Sequence, residues 1–206
     1  MSIILGTIAA IATAAVSVTK SLAVVGLAVQ GLKTLGNSLM VVAKVLGLIK
    51  PENKIEELGD KALQAEEDGI KLENYKSYAE YVKAVEEYNV DVEKSELIPE
   101  ERKILKGIEL TTGVIIEKFP ELPIVDFFEY AGKNPEYFTE DRMKEIGNLM
   151  KDNGKYVSDI LNYMNGSEKD DFILGTTIDT LTAIEKKVNP EISNKDALKY
   201  VLNIRK

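Results

Sequence analysis

Hydrophobic residues in the first fifty positions recur at alternating steps of three and four. The series is Ile4, Thr7, Ile11, Ala14, Val18, Ser21, Val25, Ala28, Leu32, Leu35, Leu39, Val42, Leu46 and Ile49. This is the a/d spacing of a helix that buries one seam, so it predicts a supercoiled helix or helix pair. We expect its interface with a partner or a membrane to comprise Val18, Val25, Ala28, Leu32, Leu35, Leu39, Val42, Leu46 and Ile49.

The residues that flank this seam are Ala, Gly, Val and Leu rather than the Glu and Lys of coiled coils in water. A helix that is apolar nearly all round is buried on several sides. Gly36-Asn37-Ser38 has the residue types of a turn, with Ser38 as the next N-cap. The heptad register continues through that turn and supports one continuous helix instead. We favour a hairpin or a kinked helix.

The composition changes at Lys50-Pro51, after which Glu and Lys alternate along helical periods. Proline and acids at Pro99-Glu100-Glu101 suit a first helical turn, and Asn189-Pro190 ends a later helix. No stretch after residue 50 alternates with period two for long, and no internal repeat stands out. The sequence therefore predicts an all-α protein with an apolar helix or helical hairpin over residues 1–50. An acidic all-helical domain over 51–206 follows it.

Tyrosines are densest between residues 75 and 88. Tyr75, Tyr78 and Tyr88 could form a partner-binding face, since tyrosine is enriched at interfaces. The alternative, which we favour, is a core stripe with its hydroxyls at the rim.

Composition and charge narrow the possible chemistry. The chain has no Cys, His or Trp, which removes thiolate chemistry, the commonest general base and the commonest metal ligand. Residues 1–50 carry four lysines and no acid, whereas the remainder has a net charge of −12. An acidic body repels nucleic acid, so we expect no nucleic-acid partner.

No motif for catalysis or cofactor binding emerges from the sequence. Glycine-rich phosphate loops are absent, and Asp152-Asn153-Gly154 has the residue types but not the spacing of a calcium loop. The acid clusters are sequence neighbours on helices, which cannot face each other across a cleft. We therefore expect no catalytic residue, cofactor or metal, and predict a protein that is not an enzyme.

The chain opens without a cation before Lys20, so no cleavable signal peptide is evident. Residues 1–19 are uncharged but rich in Ala and Thr, and fall short of the roughly 20 strongly apolar residues of a bilayer span. We expect a particle-associated or cytoplasmic protein, with membrane association as the alternative.

The Gly/Ala/Val-rich heptads of Val18 to Ile49 resemble the apolar helices of phage-tail tape-measure and internal virion proteins. The same run is similar in composition to membrane-permeabilising bacteriocins. Each resemblance covers about a quarter of the chain, and six prolines forbid the single rod of a tape measure. The first resemblance implies a structural assembly component whose partner is itself or another helical protein. The second implies a pore-forming or bacteriocin-like protein that inserts residues 1–50 into lipid.

Overall fold

The computed structural model describes residues 2–26 and 28–205, with side chains from residue 7 onward except those of residues 24 and 25. Every regular element in this range is helical, which confirms the all-α prediction. The helices are α1 (Ser2–Val25), α2 (Val29–Val45), α3 (Ile55–Glu67), α4 (Tyr78–Glu86), α5 (Val92–Leu97), α6 (Glu100–Lys118), α7 (Ile124–Lys133), α8 (Glu140–Asp152), α9 (Tyr156–Met164), α10 (Asp171–Val188) and α11 (Asn194–Asn203), with a short 3₁₀ turn at Leu72–Asn74.

Helix α6 is the centre of the molecule. It packs against α1, α2, α3, α4 and α7. Ile104, Ile108 and Ile115 follow one side of α6 while Leu110 and Val114 lie on another, and all five are buried. The hydrophobic core is therefore continuous between the N-terminal helices and the acidic part of the chain.

Helices α3 and α6 approach each other through glycine. A Cβ added at Gly59 would lie 1.8 Å from the backbone oxygen of Lys103, and one at Gly107 would lie 2.1 Å from the backbone oxygen of Ile55. Real side chains cannot occupy either position unless the two backbones move apart. These two glycines set the distance between the helices.

The break within residues 1–50 lies at Gly26, not at Gly36-Asn37-Ser38. Gly26 has φ +69°, the left-handed conformation that favours glycine at a helix end. Helix α2 runs straight through Gly36, where an added Cβ would lie 2.9 Å from the Cγ1 atom of Ile55. Gly36 therefore serves close helix packing rather than a turn. Within the described residues, α1 and α2 pack mainly against other helices, including α6, rather than against each other, which is not the packing of a side-by-side hairpin.

The buried stripe of α1 also differs from the predicted seam. Its buried residues are Ile8, Ile11, Ala15, Val18 and Leu22. This series keeps Ile11 and Val18 but replaces the small or hydroxylated half of the predicted seam, Thr7, Ala14 and Ser21, with the residues one position later. That shift brings Ile8 and Leu22 into the core, so the larger apolar side chains determine which face of α1 is buried.

A buried ion pair fixes α5 to the core. Asp60 accepts hydrogen bonds from Ser95, from Lys103 at 2.9 Å and from Gln64 at 3.0 Å. Gln64 in turn exchanges hydrogen bonds with the backbone of Asp91, the N-cap of α5. Burial alone would raise the pKa of Asp60, but these hydrogen bonds outweigh it and lower the pKa.

This lowered pKa makes the Asp60 contribution to stability dependent on pH. It is fully present above the unfolded-state pKa of about 3.9 and is lost as the pH falls through the lower folded-state pKa. We expect the difference in unfolding free energy between the wild type and Asp60→Asn to be greatest above about pH 4 and to shrink below it. Urea unfolding between pH 3 and 7 measures this difference. The exposed Asp179→Asn is the control, and a pH-independent difference for Asp60→Asn would contradict the prediction.

Candidate assembly surface

The residues predicted as an assembly or membrane interface lie largely inside the chain's own core. Six of them are buried: Val18, Leu32, Leu35, Leu39, Val42 and Ile49. Leu46 is half-buried at the end of α2, and Ala28 is exposed at the joint between α1 and α2. The side chain of Val25 lies outside the described residues. The helices that cover α2 are α3, α6, α7 and α8 of the same chain, so this seam is already sequestered without a partner.

The outward side of α1 is a different surface, which we call the free face of α1. It consists of Ala9, Thr13, Val16, Lys20 and Ala23. Val16 is half-buried and the other four are exposed. Their steps of four, three, four and three form a straight stripe opposite the buried one. A solvated helix face normally carries acids and bases, whereas this one has a single lysine.

The remaining lysines of the N-terminal segment lie near the acidic body. Lys33 on α2 forms ion pairs with Glu56 at 2.9 Å and Glu100 at 3.0 Å. The backbone amide of Lys50 donates to Glu86. The acid-free segment thus meets carboxylates of its own chain at Lys33 and at the Lys50 amide, whereas the free face of α1 is turned to solvent.

The three tyrosines proposed as a partner face do not share one exposed surface. Tyr78 is 1% exposed, and its ring packs edge-on against Tyr81 at 6.0 Å. Tyr75 is half-buried with its ring 5.7 Å from Tyr81. The Tyr88 hydroxyl donates to Asp68 at 2.6 Å, and this hydrogen bond raises the pKa of Tyr88 to about 12. Tyr78 is a core residue, because an aromatic ring fills the space that Gly113 leaves on α6.

A second uncovered apolar surface lies at the C-terminal pair of helices. Leu198 and Leu202 follow each other by one turn on α11 and are 40% and 51% exposed. On the same helix, Ala197 and Val201 are fully buried. The packing of α11 thus separates a buried row, Ala197 and Val201, from an exposed row, Leu198 and Leu202.

The described residues offer few groups arranged for chemistry. No three His, Cys, Asp or Glu side chains there come together as a metal site. An open groove of about 530 Å³ between α7 and α9 is lined by polar groups that include Asp126, Glu129 and Asn162. Ser21 of α1 donates to Glu129 at 2.6 Å, so that carboxylate already has a partner. Within the described residues, no helix combines the length and hydrophobicity that a membrane crossing requires.

The candidate assembly surface is identified from the exposure and composition of helices α1 and α11. The free face of α1, with one lysine and no acid, and the exposed leucines of α11 both differ from an ordinary solvated helix face. A comparison of the chain with protein-family models, with curated proteins and with solved structures finds no match.

Proposed function

We propose that this protein is a non-enzymatic helical assembly component that associates with copies of itself through the free face of α1. The observation that carries the proposal is that this solvent-facing stripe is free of acids and bears a single lysine. In this proposal the buried seam of α1 and α2 holds the monomer together, and the opposite side of α1 makes the contact between copies.

Electrostatics supports this choice of surface. The chain has a net charge of −8, so two copies repel each other wherever acidic surfaces meet. Residues 1–50 contain no acid, and Lys20 is exposed on the free face. Copies that approach through α1 avoid juxtaposing carboxylates.

The short side chains of the free face of α1 also support its choice as the contact surface. Ala9, Thr13 and Ala23 are short, and small residues let helix axes approach closely. A single helix pair buries less than the roughly 1,200 Å² of a standard interface. Association is therefore expected to be weak, with a Kd of about 1 to 100 μM.

Sedimentation equilibrium in detergent-free buffer tests the proposal. The wild type is expected to self-associate, whereas a double variant with Ala9→Glu and Thr13→Glu is expected to weaken association at least about tenfold. Two new carboxylates on the stripe introduce like-charge repulsion without disturbing the fold, since glutamate is a good helix former.

Thr176→Glu, at an exposed position of α10, is the control for added negative charge. It should leave association unchanged. A wild type that stays monomeric over this concentration range, or a double variant that associates as the wild type does, would overturn the proposal.

The setting we propose is a phage or phage-tail-like particle, on the resemblance of Val18 to Ile49 to internal virion helices. Because the chain's own core sequesters much of that stretch, the component would be a compact unit of the particle rather than a rod. The sedimentation experiment tests self-association and does not depend on the kind of particle.

A further inference from the structure

Polar groups hold helix α5 in place. None of its six residues, all of them described, is fully buried. Ser95 donates a hydrogen bond to Asp60 and accepts one from Lys103 at 2.7 Å. Gln64 exchanges hydrogen bonds with the backbone of Asp91, which caps the helix. Because a helix this short is not stable by itself, the polar network is what fixes its position on the surface.

The outward side of α5 combines large apolar side chains with acids. Val92 and Leu97 are 69% and 83% exposed, and Glu93 and Glu96 are exposed beside them. At about 100° per residue these four lie within an arc of about 140°, on the side away from the anchored Ser95. We call them the α5 face. Large apolar side chains that a fixed helix leaves in water are suited to a partner.

The exposed leucines of α11 lie beside two exposed lysines. The four residues fall within an arc of about 100° on the helix. They are Lys195, Leu198, Lys199 and Leu202, which we call the α11 face. Asp196, the one acid in the sequence of α11, accepts a hydrogen bond from the Ser193 hydroxyl at 2.6 Å. The α11 face is therefore an apolar row with a cationic edge.

The charges around the two faces are opposite. Residues 91–101 contain five acids and one base, whereas residues 194–205 contain three bases and one acid. The base near α5, Lys94, lies 3.7 Å from Asp68 of its own chain. Either face would bring like charges together if it met its own counterpart on another copy. The two faces can meet each other without that repulsion.

We infer that the α11 face of one copy binds the α5 face of a second copy. In this contact the two leucines of α11 pack among Val92 and Leu97, and the two lysines lie beside the glutamates of α5. The faces match in length, about 8 Å for α5 and about 11 Å for α11 at 1.5 Å per helical residue. Both are exposed in the single chain, so they do not cover each other there. The contact joins different surfaces and links copies head to tail.

The free face of α1 is a less suitable partner for α5. It offers one lysine, Lys20, and short side chains such as Ala9 and Ala23. Leucines bury more apolar surface than alanines, and the two lysines of α11 match the two glutamates of α5. The α5–α11 contact is therefore additional to the proposed contact through α1 and goes beyond the proposed function. A contact of four residues on each side is small, so its Kd is expected to be about 0.1–1 mM.

A charge swap tests the contact. The parent chain is the variant that already carries two glutamates on the free face of α1, which removes that contact from the measurement. The α11 variant of the parent has Lys195→Glu and Lys199→Glu, and the α5 variant has Glu93→Lys and Glu96→Lys. Sedimentation equilibrium at up to about 1 mM is expected to show each associating at least about fivefold more weakly than the parent, because like charges meet. A chain with all four substitutions restores opposite charges and is expected to return to within about twofold of the parent Kd.

The outcomes separate this inference from the proposed function. An α5 or α11 variant that associates as the parent does would overturn the inference. So would a fourfold-substituted chain that stays as weak as the two variants. An α11 face that binds phosphatidylglycerol vesicles and shows no recovery in the fourfold-substituted chain would belong to a lipid surface instead. A parent that associates as strongly as the wild type counts against the proposed contact through α1, and the charge swap still decides the contact between α5 and α11.

Two controls match the change in net charge. Lys144→Glu with Lys151→Glu on α8 matches the α11 variant, and Glu73→Lys with Glu121→Lys matches the α5 variant. All four positions are exposed and lie outside both faces. Each control is expected to associate within about twofold of the parent. Because the exchanged residues of the two faces are also exposed, every variant should keep the urea midpoint of the parent closely.

Discussion

A chain that begins at Pro51 is expected not to fold cooperatively. Removing residues 1–50 takes away α1 and α2, which cover two sides of α6 and also pack on α7 and α8. Ile108 of α6, which lies beside Gly36 of α2, and the part of α7 at Gly132, which lies against Leu22 of α1, would lose part of their cover. Fully burying an apolar side chain of this size contributes about 1.5–3 kcal/mol, and a domain's whole stability is only about 5–15 kcal/mol. The loss of two helices exceeds that margin.

Urea titration followed by circular dichroism measures how cooperatively each chain unfolds. The full-length chain is expected to give one sharp transition, and the shortened chain a shallow one with increased binding of a hydrophobic dye. A sharp transition with near-complete helicity in residues 51–206 would show that they fold alone.

Single substitutions in α2 give a graded form of the same test. Leu39→Ala removes a fully buried side chain and is expected to cost about 2–5 kcal/mol of unfolding free energy. Val29→Ala, at a position 37% exposed on the same helix, is expected to cost less than about 1 kcal/mol. Equal effects at the two positions would mean that α2 is not part of the core.

The second large effect is expected at the contact between α3 and α6. Gly59→Ala and Gly107→Ala should each destabilise the protein by more than about 3 kcal/mol. Overpacking a core typically costs about 1–3 kcal/mol, and here the obstructing atoms are backbone, which cannot rotate away as a side chain does. The midpoint of urea unfolding reports the loss.

Gly175→Ala is the matched control. Gly175 lies in α10 with open space around its Cβ position. Alanine there should stabilise the protein by about 0.5–1 kcal/mol, because glycine is a poor helix former. If Gly59→Ala is as harmless as Gly175→Ala, the two helix backbones do not approach as closely as described.

Local chemistry made many helix boundaries predictable from the sequence. Proline and acids placed the start of α6 at Glu100, and Ser193 caps α11 by accepting the Asp196 amide. For α10, Ser167 has a capping residue type, but the N-cap is Asp170, whose carboxylate accepts two backbone amides. Several neighbouring residues can each cap the same helix. The sequence therefore indicates that a cap is present better than it indicates which residue supplies it.

Two features of the N-terminal segment could not be read from local sequence. A glycine that ends a helix and one that admits a neighbouring helix look alike, so the turn was expected at Gly36 rather than at Gly26. An apolar helix also fits several registers at once, and the neighbours of α1 select the one that buries Ile8 and Leu22. Both outcomes depend on α6 and α7, which lie far away in the sequence.

The candidate site was predictable only in part. The absence of acids from residues 1–50 identified the unusual segment, but which side of α1 faces solvent follows from its packing on α6 and α7. The row of Leu198 and Leu202 follows from the packing of α11, which buries Ala197 and Val201 and leaves the two leucines exposed.

The central position of α6 has a consequence for synthesis of the protein. The ribosome makes α1 and α2 first, yet the helix that covers them ends about eighty residues after Leu39. At about 5–20 residues per second, the apolar N-terminal helices wait roughly 4 to 16 s before α6 is complete. During that interval they are unshielded apolar segments of the kind that chaperones bind. Yield in the cell is thus expected to depend on chaperone supply more than the stability of the finished fold would indicate.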